Sequence, residues 1–124
     1  MMRVPRILFA VPLLGLGMLL PTAGAAIKQP PAGALGMNHE GFSRTEVTVH
    51  RGQTLTLDNS SRFMHTVGAG KDGTLADNAD VPMVARKMMP TNDVYTTGQW
   101  NTVGTYFLTC SVHPEMTVKV VVTN

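Results

Sequence analysis

The sequence contains a single cysteine, Cys110, among 124 residues. One cysteine permits no disulfide within the chain, although small exported domains often depend on disulfides. There is also no run of basic residues and no nucleic-acid-binding motif, so we expect no nucleic-acid partner. A lone thiol outside the cytoplasm needs protection, and a bound metal ion would supply it while stabilising the folded state.

No apolar run is long enough for a comfortable membrane span. The run over residues 7–20 has 14 residues, which suits the apolar region of a secretory leader. Arg3 and Arg6 precede it, and Ala23-Gly24-Ala25 follows as a small-x-small cleavage pattern. We therefore predict a signal peptide over residues 1–25 and a periplasmic or secreted protein. The alternative is an uncleaved leader that serves as an anchor.

Removal of the leader would balance the charge. Lys plus Arg falls from ten to eight when Arg3 and Arg6 are lost, which equals the eight Asp plus Glu. Residues 26–36 hold two prolines and two glycines and are predicted to form a flexible lead-in. Residues 37–124 then suffice for one small domain, which we expect to be a monomer.

Strand signals dominate the mature chain. Alternating or β-rich stretches occupy residues 45–49, 54–57, 63–67, 94–97, 104–110 and 117–122, with turn residues between them. This pattern predicts an all-β fold, a Greek-key antiparallel β-sandwich. Residues 68–92 lack strand periodicity, and Pro82 could begin a short helical turn through Met88.

Three metal donors follow one another closely. Cys110, His113 and Met116 form a Cys-x2-His-x2-Met run between two predicted strands. Thiolate, imidazole and thioether together favour copper. Because side chains alternate along a strand, Cys110 shares the inward face of Tyr106 and Leu108, at the rim of the core.

A fourth donor comes from an earlier strand. His65 is predicted to share a face with Phe63 and Val67, which places it inward. Several other readings use the same residues. His65 could be a hydrogen-bonded core histidine, Cys110 a buried thiol or a nucleophile with His113 as base, and the site could hold zinc. None of them explains Met116.

The chain resembles the cupredoxins, the small blue copper proteins of the plastocyanin and azurin type. The resemblance rests on the upstream His65, the Gly-Thr-Tyr-x-x-x-Cys strand that ends at Cys110, the Cys-x2-His-x2-Met run and the Val-rich last strand, over about residues 37–124. The two-residue gap before Met116 and the proline after His113 make the ligand loop most like that of amicyanin. The pair Met88-Met89 is also amicyanin-like.

The resemblance implies one type 1 copper ion. His65, Cys110 and His113 would be the trigonal ligands and Met116 the weak axial ligand. It also implies a one-electron carrier rather than an enzyme. A redox partner such as a dehydrogenase, cytochrome or oxidase would dock around the exposed His113, on an apolar patch that includes Val112 and Pro114.

The sequence departs from the family pattern at two positions. Thr66 follows the upstream histidine where an asparagine usually ties the cysteine loop in place, and its hydroxyl could make a similar bond. Val112 stands where a proline is frequent. Glu115 adds a carboxylate to the loop and is expected to be a solvated rim charge.

Other histidines and methionines lie outside the motif. His39 and His50 are expected to be exposed, with a second metal site as the alternative for His39. Met64, Met83, Met88 and Met89 could fill the core near the copper end or collect Cu(I). The latter reading gives the alternative function, an exported copper carrier or resistance protein without redox turnover.

Overall fold

The computed structural model describes residues 33–124. The predicted signal peptide and the first part of the predicted lead-in lie outside the described residues. Within residues 33–124 there are nine strands and no helix. They are β1 (Ala34–Met37), β2 (Glu46–His50), β3 (Thr56–Asn59), β4 (His65–Lys71), β5 (Thr74–Leu75), β6 (Lys87–Met89), β7 (Val94–Thr96), β8 (Gly104–Cys110) and β9 (His113–Thr123).

The strands form two sheets, and the predicted all-β sandwich is confirmed. The smaller sheet has the order β1-β3-β7. The larger sheet has the order β2-β9-β8-β4-β5, and β6 also pairs with β4. No described helix is long and apolar enough to cross a membrane.

Strand pairing is mixed, which corrects the prediction of a purely antiparallel sandwich. β1 pairs with β3 in parallel, and β2 pairs with β9 in parallel. The predicted strands near residues 45–49 and 54–57 lie in different sheets. Val47 and Val49 of β2 instead lie beside the inward valines Val120 and Val122 of β9, so the pairing aligns the buried faces.

The core lies between the sheets and is filled by alternating strand residues. In β8, Tyr106, Leu108 and Cys110 are buried, as the period of two predicts. Trp100 is fully buried, and its indole N–H donates to the hydroxyl of Thr97 at 3.0 Å. The polar end of this large side chain is therefore satisfied inside the core.

The predicted helical turn from Pro82 to Met88 is wrong. Residues 87–89 form β6, in which Met89 lies opposite His65 and Met88 lies opposite Thr66. Met89 is fully buried and Met88 is exposed, as expected for side chains that alternate across a strand. The segment between residues 68 and 92 therefore contains strands, because its backbone groups pair with β4 although its sequence lacks an extended alternating pattern.

Two further expectations need correction at strand starts. β1 begins at Ala34, inside the predicted lead-in, because Leu35 and Met37 are buried in the core. Phe63 precedes β4 and is exposed, so it does not share the inward face of His65. The sandwich thus begins three residues before residue 37.

Candidate metal centre

The step from β8 to β9 brings three donors to one end of the sandwich. Thr109 pairs with Thr117, but Cys110 pairs with His113, so β9 carries three extra residues across this step. In a regular strand, residues three apart point to opposite faces. The bulge changes this alternation, so the side chains of His113 and Met116 can point toward the same site.

Met116 belongs to the inner face of β9. It is fully buried, like Val118 two residues further on, and Val118 pairs with Leu108 of β8. Cys110 is the next inward position on β8 after Leu108, as Met116 is the next inward position on β9 before Val118. The thioether side chain therefore lies on the same side of the sheet as the thiol.

His65 reaches the site from β4, the other neighbour of β8. Val67 of β4 pairs with Cys110, and His65 is the next inward residue toward the end of the sandwich. On the side of β4 away from β8, Met89 of β6 pairs with His65. His65 is fully buried, as predicted from the alternation.

The donor atoms converge. Nδ1 of His65 lies 3.7 Å from Sγ of Cys110, and Nδ1 of His113 lies 3.9 Å from the same sulfur. Metal bonds of about 2.0 Å to nitrogen and 2.3 Å to sulfur that meet near 120° would separate the two donors by roughly 3.8 Å. His65, Cys110 and His113 are thus spaced as ligands of one ion, and they form a group whose donor atoms lie within 4.8 Å of one another.

The donors differ in exposure. Cys110, His65 and Met116 are fully buried, whereas His113 is only partly buried. The free thiol is therefore shielded from solvent by the fold. A single histidine forms the contact between the centre and the surface.

Burial also lowers the pKa of His65 below its ordinary value of 6.5. The neighbouring rings of His113 and His39 lower the pKa further, while the backbone of Asn38 opposes the shift by hydrogen bonding. A neutral imidazole is the form that can bind a metal ion, so this environment keeps the ligand available at neutral pH.

The loop after Cys110 is tied to β4 through backbone atoms. The N–H of Ser111 donates to the carbonyl of Thr66 at 2.9 Å. The sequence indicated that the hydroxyl of Thr66 could make a similar connection in place of an asparagine side chain. The structure makes the connection with the Thr66 carbonyl, which any residue at this position could offer.

A second support comes from the turn between β4 and β5. The hydroxyl of Thr109 donates to the carbonyl of Met116 at 3.1 Å and accepts from the N–H of Gly73 at 2.9 Å. A Cβ at Gly73 would lie 2.9 Å from Cα of Pro114, so this turn packs tightly on the ligand loop. Sequence reasoning missed both residues.

The remaining histidines are not donors in this group. His50 lies at the end of β2 and contacts the hydroxyl of Thr123 at 3.1 Å. The ring of His39 packs against that of Phe63 with centroids 3.7 Å apart and ring planes tilted by 52°, and its centroid is 6.0 Å from that of His113. The side chain of His39 is half exposed and lies beside the centre, in no second cluster of donors within the described residues.

The methionines divide between core and surface. Met89 is fully buried beside His65, and Met83 packs against the core from a partly buried position. Met64 and Met88 are exposed. The core-filling reading is therefore correct for Met83 and Met89 only.

The donor set fits copper. Two imidazoles and a thiolate in a trigonal arrangement with a thioether nearby are typical of a type 1 copper site. Zinc would accept the first three donors but gains little from a thioether. The centre is thus suited to one type 1 copper ion.

Comparison with known proteins agrees with this geometry. No protein-family model matches the sequence, and a search of curated proteins finds no match. Among solved structures, amicyanin from Paracoccus versutus (Thiobacillus versutus) matches with a TM-score of 0.57 and 26% identity, over 74% of this chain and 81% of amicyanin. A reduced tryptophan-to-tyrosine variant of amicyanin matches with a TM-score of 0.60 and 28% identity, over 82% and 88% of the two chains.

A more distant structure shares the fold alone. A purple cupredoxin from Nitrosopumilus maritimus matches with a TM-score of 0.55 and 20% identity, over 67% of this chain and 82% of that protein. The resemblance inferred from the ligand loop is therefore confirmed at the level of the whole domain. The sandwich, the converging donors and the match to amicyanin together show that the chain is similar to amicyanin over most of its length and has a cupredoxin-like fold.

Proposed function

We propose that the protein is a one-electron carrier that holds a single type 1 copper ion. The observation that carries the proposal is the convergence of two imidazole nitrogens on the Cys110 sulfur, at 3.7 Å and 3.9 Å. Met116 is buried on the inner face of β9, the same side of the sheet as Cys110. His65, Cys110 and His113 are the trigonal ligands and Met116 is the weak axial ligand. Bound copper would supply the couple between Cu(I) and Cu(II).

The protein itself would provide a rigid site that excludes water, in which copper could change between Cu(I) and Cu(II). Cys110, His65 and Met116 are held by neighbouring strands inside the core, so the donors need little movement when an electron is gained or lost. Water is kept from the thiolate for the same reason. No substrate has to bind at the centre, and the protein therefore acts as a carrier and not as an enzyme.

Electrons enter and leave at the partly exposed His113. Apolar side chains are exposed in the neighbouring loops and strands, with exposed fractions of 43% for Phe63, 57% for Met88 and 56% for Val112. We refer to Phe63, Met64, Met88 and Val112 as the apolar rim. A redox protein docks on this rim as a partner of the monomer, because exposed apolar groups favour contacts that form without extensive charge pairing.

The protein works outside the cytoplasm. Support comes from the leader pattern over residues 1–25 and from the burial of the only cysteine. Amino-terminal sequencing of the protein collected from outside the cytoplasm should give a chain that begins near Ala26. A chain that keeps Met1 would point to the uncleaved anchor.

Titration with Cu(II) tests the central proposal. The purified protein should bind one equivalent, develop an intense visible band from thiolate-to-copper charge transfer and show a reversible one-electron potential. The variant Cys110→Ser should bind copper weakly and without this band. A colourless copper complex of the unchanged protein would contradict the proposal.

The exposed thioethers favour a second candidate, a copper carrier without redox turnover. Met88 lies opposite Thr66 and is exposed, and Met64 is exposed directly before β4. Thioethers are suitable ligands for Cu(I). More than one equivalent of Cu(I), with the excess lost in a Met64→Leu, Met88→Leu double variant, would support the carrier function.

A further inference from the structure

A hydrogen-bonded pair of side chains, Asn59 and Ser61, lies behind the ring of His65. Oγ of Ser61 is 3.1 Å from Nε2 of His65 and 2.6 Å from Oδ1 of Asn59. Asn59 ends β3 and is fully buried, so this pair connects the smaller sheet to the metal centre. Neither residue carries a metal-ligand signal in the sequence.

The orientation of the Asn59 amide is fixed by its surroundings. Nδ2 of Asn59 donates toward three backbone carbonyls, those of Phe63 and Met89 at 2.8 Å and that of Pro90 at 3.1 Å. Carbonyls accept and cannot donate, so the NH2 group must face them. Oδ1 is therefore the amide atom that faces Ser61.

This orientation decides where the Ser61 hydroxyl proton lies. Oδ1 of Asn59 is an acceptor, and its distance of 2.6 Å from Oγ is typical of a strong O–H···O bond. The hydroxyl has one proton, and its possible acceptors are Oδ1 of Asn59 and the carbonyl of Phe63 at 3.2 Å. The much shorter contact assigns the proton to Asn59, since two oxygens 2.6 Å apart need a proton between them. Its lone pairs remain free to accept, and they face the N–H of Phe63 at 3.2 Å and Nε2 of His65.

The remaining bond then selects one form of the His65 ring. Because Ser61 accepts, Nε2 of His65 must carry the proton, and Nδ1 is left with its lone pair directed at the site. A backbone hydrogen bond with Asn38 also opposes the lowering of the pKa of this ring. Nδ1 is the atom that lies 3.7 Å from the Cys110 sulfur.

We propose that Ser61, oriented by Asn59, is a positioning residue that sets the tautomer and the ring angle of the copper ligand His65. A ligand imidazole that donates its second N–H is held in place and is a more basic donor, which favours Cu(II) over Cu(I). The inference rests on the proposed copper function. It adds a specific residue that adjusts both the affinity for copper and the reduction potential.

The tautomer can be measured in the protein before any metal is added. Nitrogen-15 correlation spectra that report long-range couplings within the imidazole should show His65 with its proton on Nε2. A proton on Nδ1 of His65 would overturn the inference. This measurement needs no variant and does not depend on copper binding.

Substitutions test the effect on the ligand. Ser61→Ala should lower the affinity for Cu(II) by about 10- to 100-fold and raise the reduction potential, because the ring loses its acceptor. Ser61→Thr keeps the hydroxyl and should restore both properties. Ser60→Ala is the matched control, since Ser60 is exposed and adjacent in the chain.

The outcomes separate this inference from the proposed function. If the unchanged protein binds no Cu(II), the copper proposal fails while the tautomer result still stands. If the protein binds Cu(II) and Ser61→Ala retains its affinity and its potential, the Ser61 inference is wrong. A loss of apo-protein stability in Ser61→Ala without a change in potential would assign Ser61 a purely structural role and also overturn the inference.

Discussion

At the centre, some residues bind the metal and others adjust its reduction potential. Met116 is fully buried on the inner face of β9, so the core and not a strong metal bond holds its thioether in place. The axial position of such sites adjusts the potential more than it holds the metal. Replacement of this one side chain should therefore change the potential and leave copper bound.

Met116→Gln should lower the reduction potential. An amide oxygen is a harder donor than a thioether and stabilises Cu(II) relative to Cu(I). We expect a decrease of at least about 59 mV, which corresponds to a tenfold change in relative affinity for a one-electron couple. Cyclic voltammetry measures it, with Met64→Gln as the control on an exposed methionine. An unchanged potential in Met116→Gln would count against axial ligation.

The lowered pKa of His65 predicts how the stability of the metal-free protein depends on pH. As the pH falls below about 6.5, the unfolded chain takes up this proton before the folded chain does. The contribution of His65 is therefore present above pH 6.5 and is lost below it, with a slope of up to about 1.4 kcal/mol per pH unit.

Urea unfolding between pH 5 and pH 8 measures this slope. His65→Gln should flatten the part of the curve below pH 6.5, whereas His50→Gln at the far end of the sandwich should leave the contribution of His65 in place. Equal slopes in the unchanged protein and in His65→Gln would show that His65 does not cause the acid sensitivity.

The sequence predicted the four proposed ligands better than the residues around them. Cys110 and His65 could be placed inward because side chains alternate along strands of any sequence. Asn59 and Ser61 belong to the run Asp58-Asn59-Ser60-Ser61, whose composition is typical of a turn. Their role depends on which carbonyls the folded loop brings near them. Hydrogen-bond partners across loops leave no periodic signal in a sequence.

At the scale of elements, the ligand loop is supported by a turn from another part of the sheet. Gly73, between β4 and β5, has a φ of 81° and packs against Pro114 in the bulge of β9. This contact and the bonds of Thr109 hold the ligand loop in place. The geometry of the copper site therefore depends on a segment without any ligand.

Gly73→Ala should weaken the site and the fold together. A left-handed backbone costs a residue with a Cβ about 1 to 2 kcal/mol, and the new Cβ would also press on Pro114 at 2.9 Å. We expect a lower free energy of unfolding and an altered visible spectrum of the copper form. Chemical unfolding and absorption spectroscopy test the two effects.

Gly33→Ala provides the matched control. Gly33 also has a positive φ, of 108°, but a Cβ there would meet nothing within 4 Å. It should reproduce the backbone strain without the change in spectrum. A spectral change of equal size in both variants would mean that the contact with Pro114 is not what matters.

Strand existence was easier to predict than strand pairing. β8 and β9 have long β-rich sequences, so their positions followed from the pattern. The parallel pairing of β2 with β9 and the short β6 depend on contacts between distant parts of the chain. β6 has three residues, too few to show a period, and pairing with β4 decides its conformation.

At the scale of the molecule, exposed apolar groups are gathered near the centre but are not confined to it. Val112 of the apolar rim is adjacent to His113 in the chain, whereas Val103 is exposed just before β8, at the end of that strand opposite Cys110. Six residues of strand separate the two ends by about 20 Å. Val112 and Val103 can therefore be compared as identical side chains near to and far from the centre.

Val112→Glu should slow electron exchange between the Cu(I) and Cu(II) forms of the protein. Two copies that meet at the apolar rim would bring two carboxylates together, and a penalty of about 1.4 kcal/mol would reduce the rate tenfold. Val103→Glu adds the same charge and should have little effect at the same ionic strength. NMR line broadening in mixtures of the two forms measures the exchange rate. Equal slowing by both variants would place the contact elsewhere.

The position of β9 in the larger sheet has a consequence for biosynthesis. β9 is made after the other eight described strands, yet it lies between β2 and β8 and carries His113 and Met116. Without β9, a growing chain cannot connect β2 to β8 in the larger sheet, and it lacks the donors His113 and Met116. The sandwich and the proposed copper site must therefore be completed in the same late step, so a partly synthesised chain cannot capture the metal before it is able to fold.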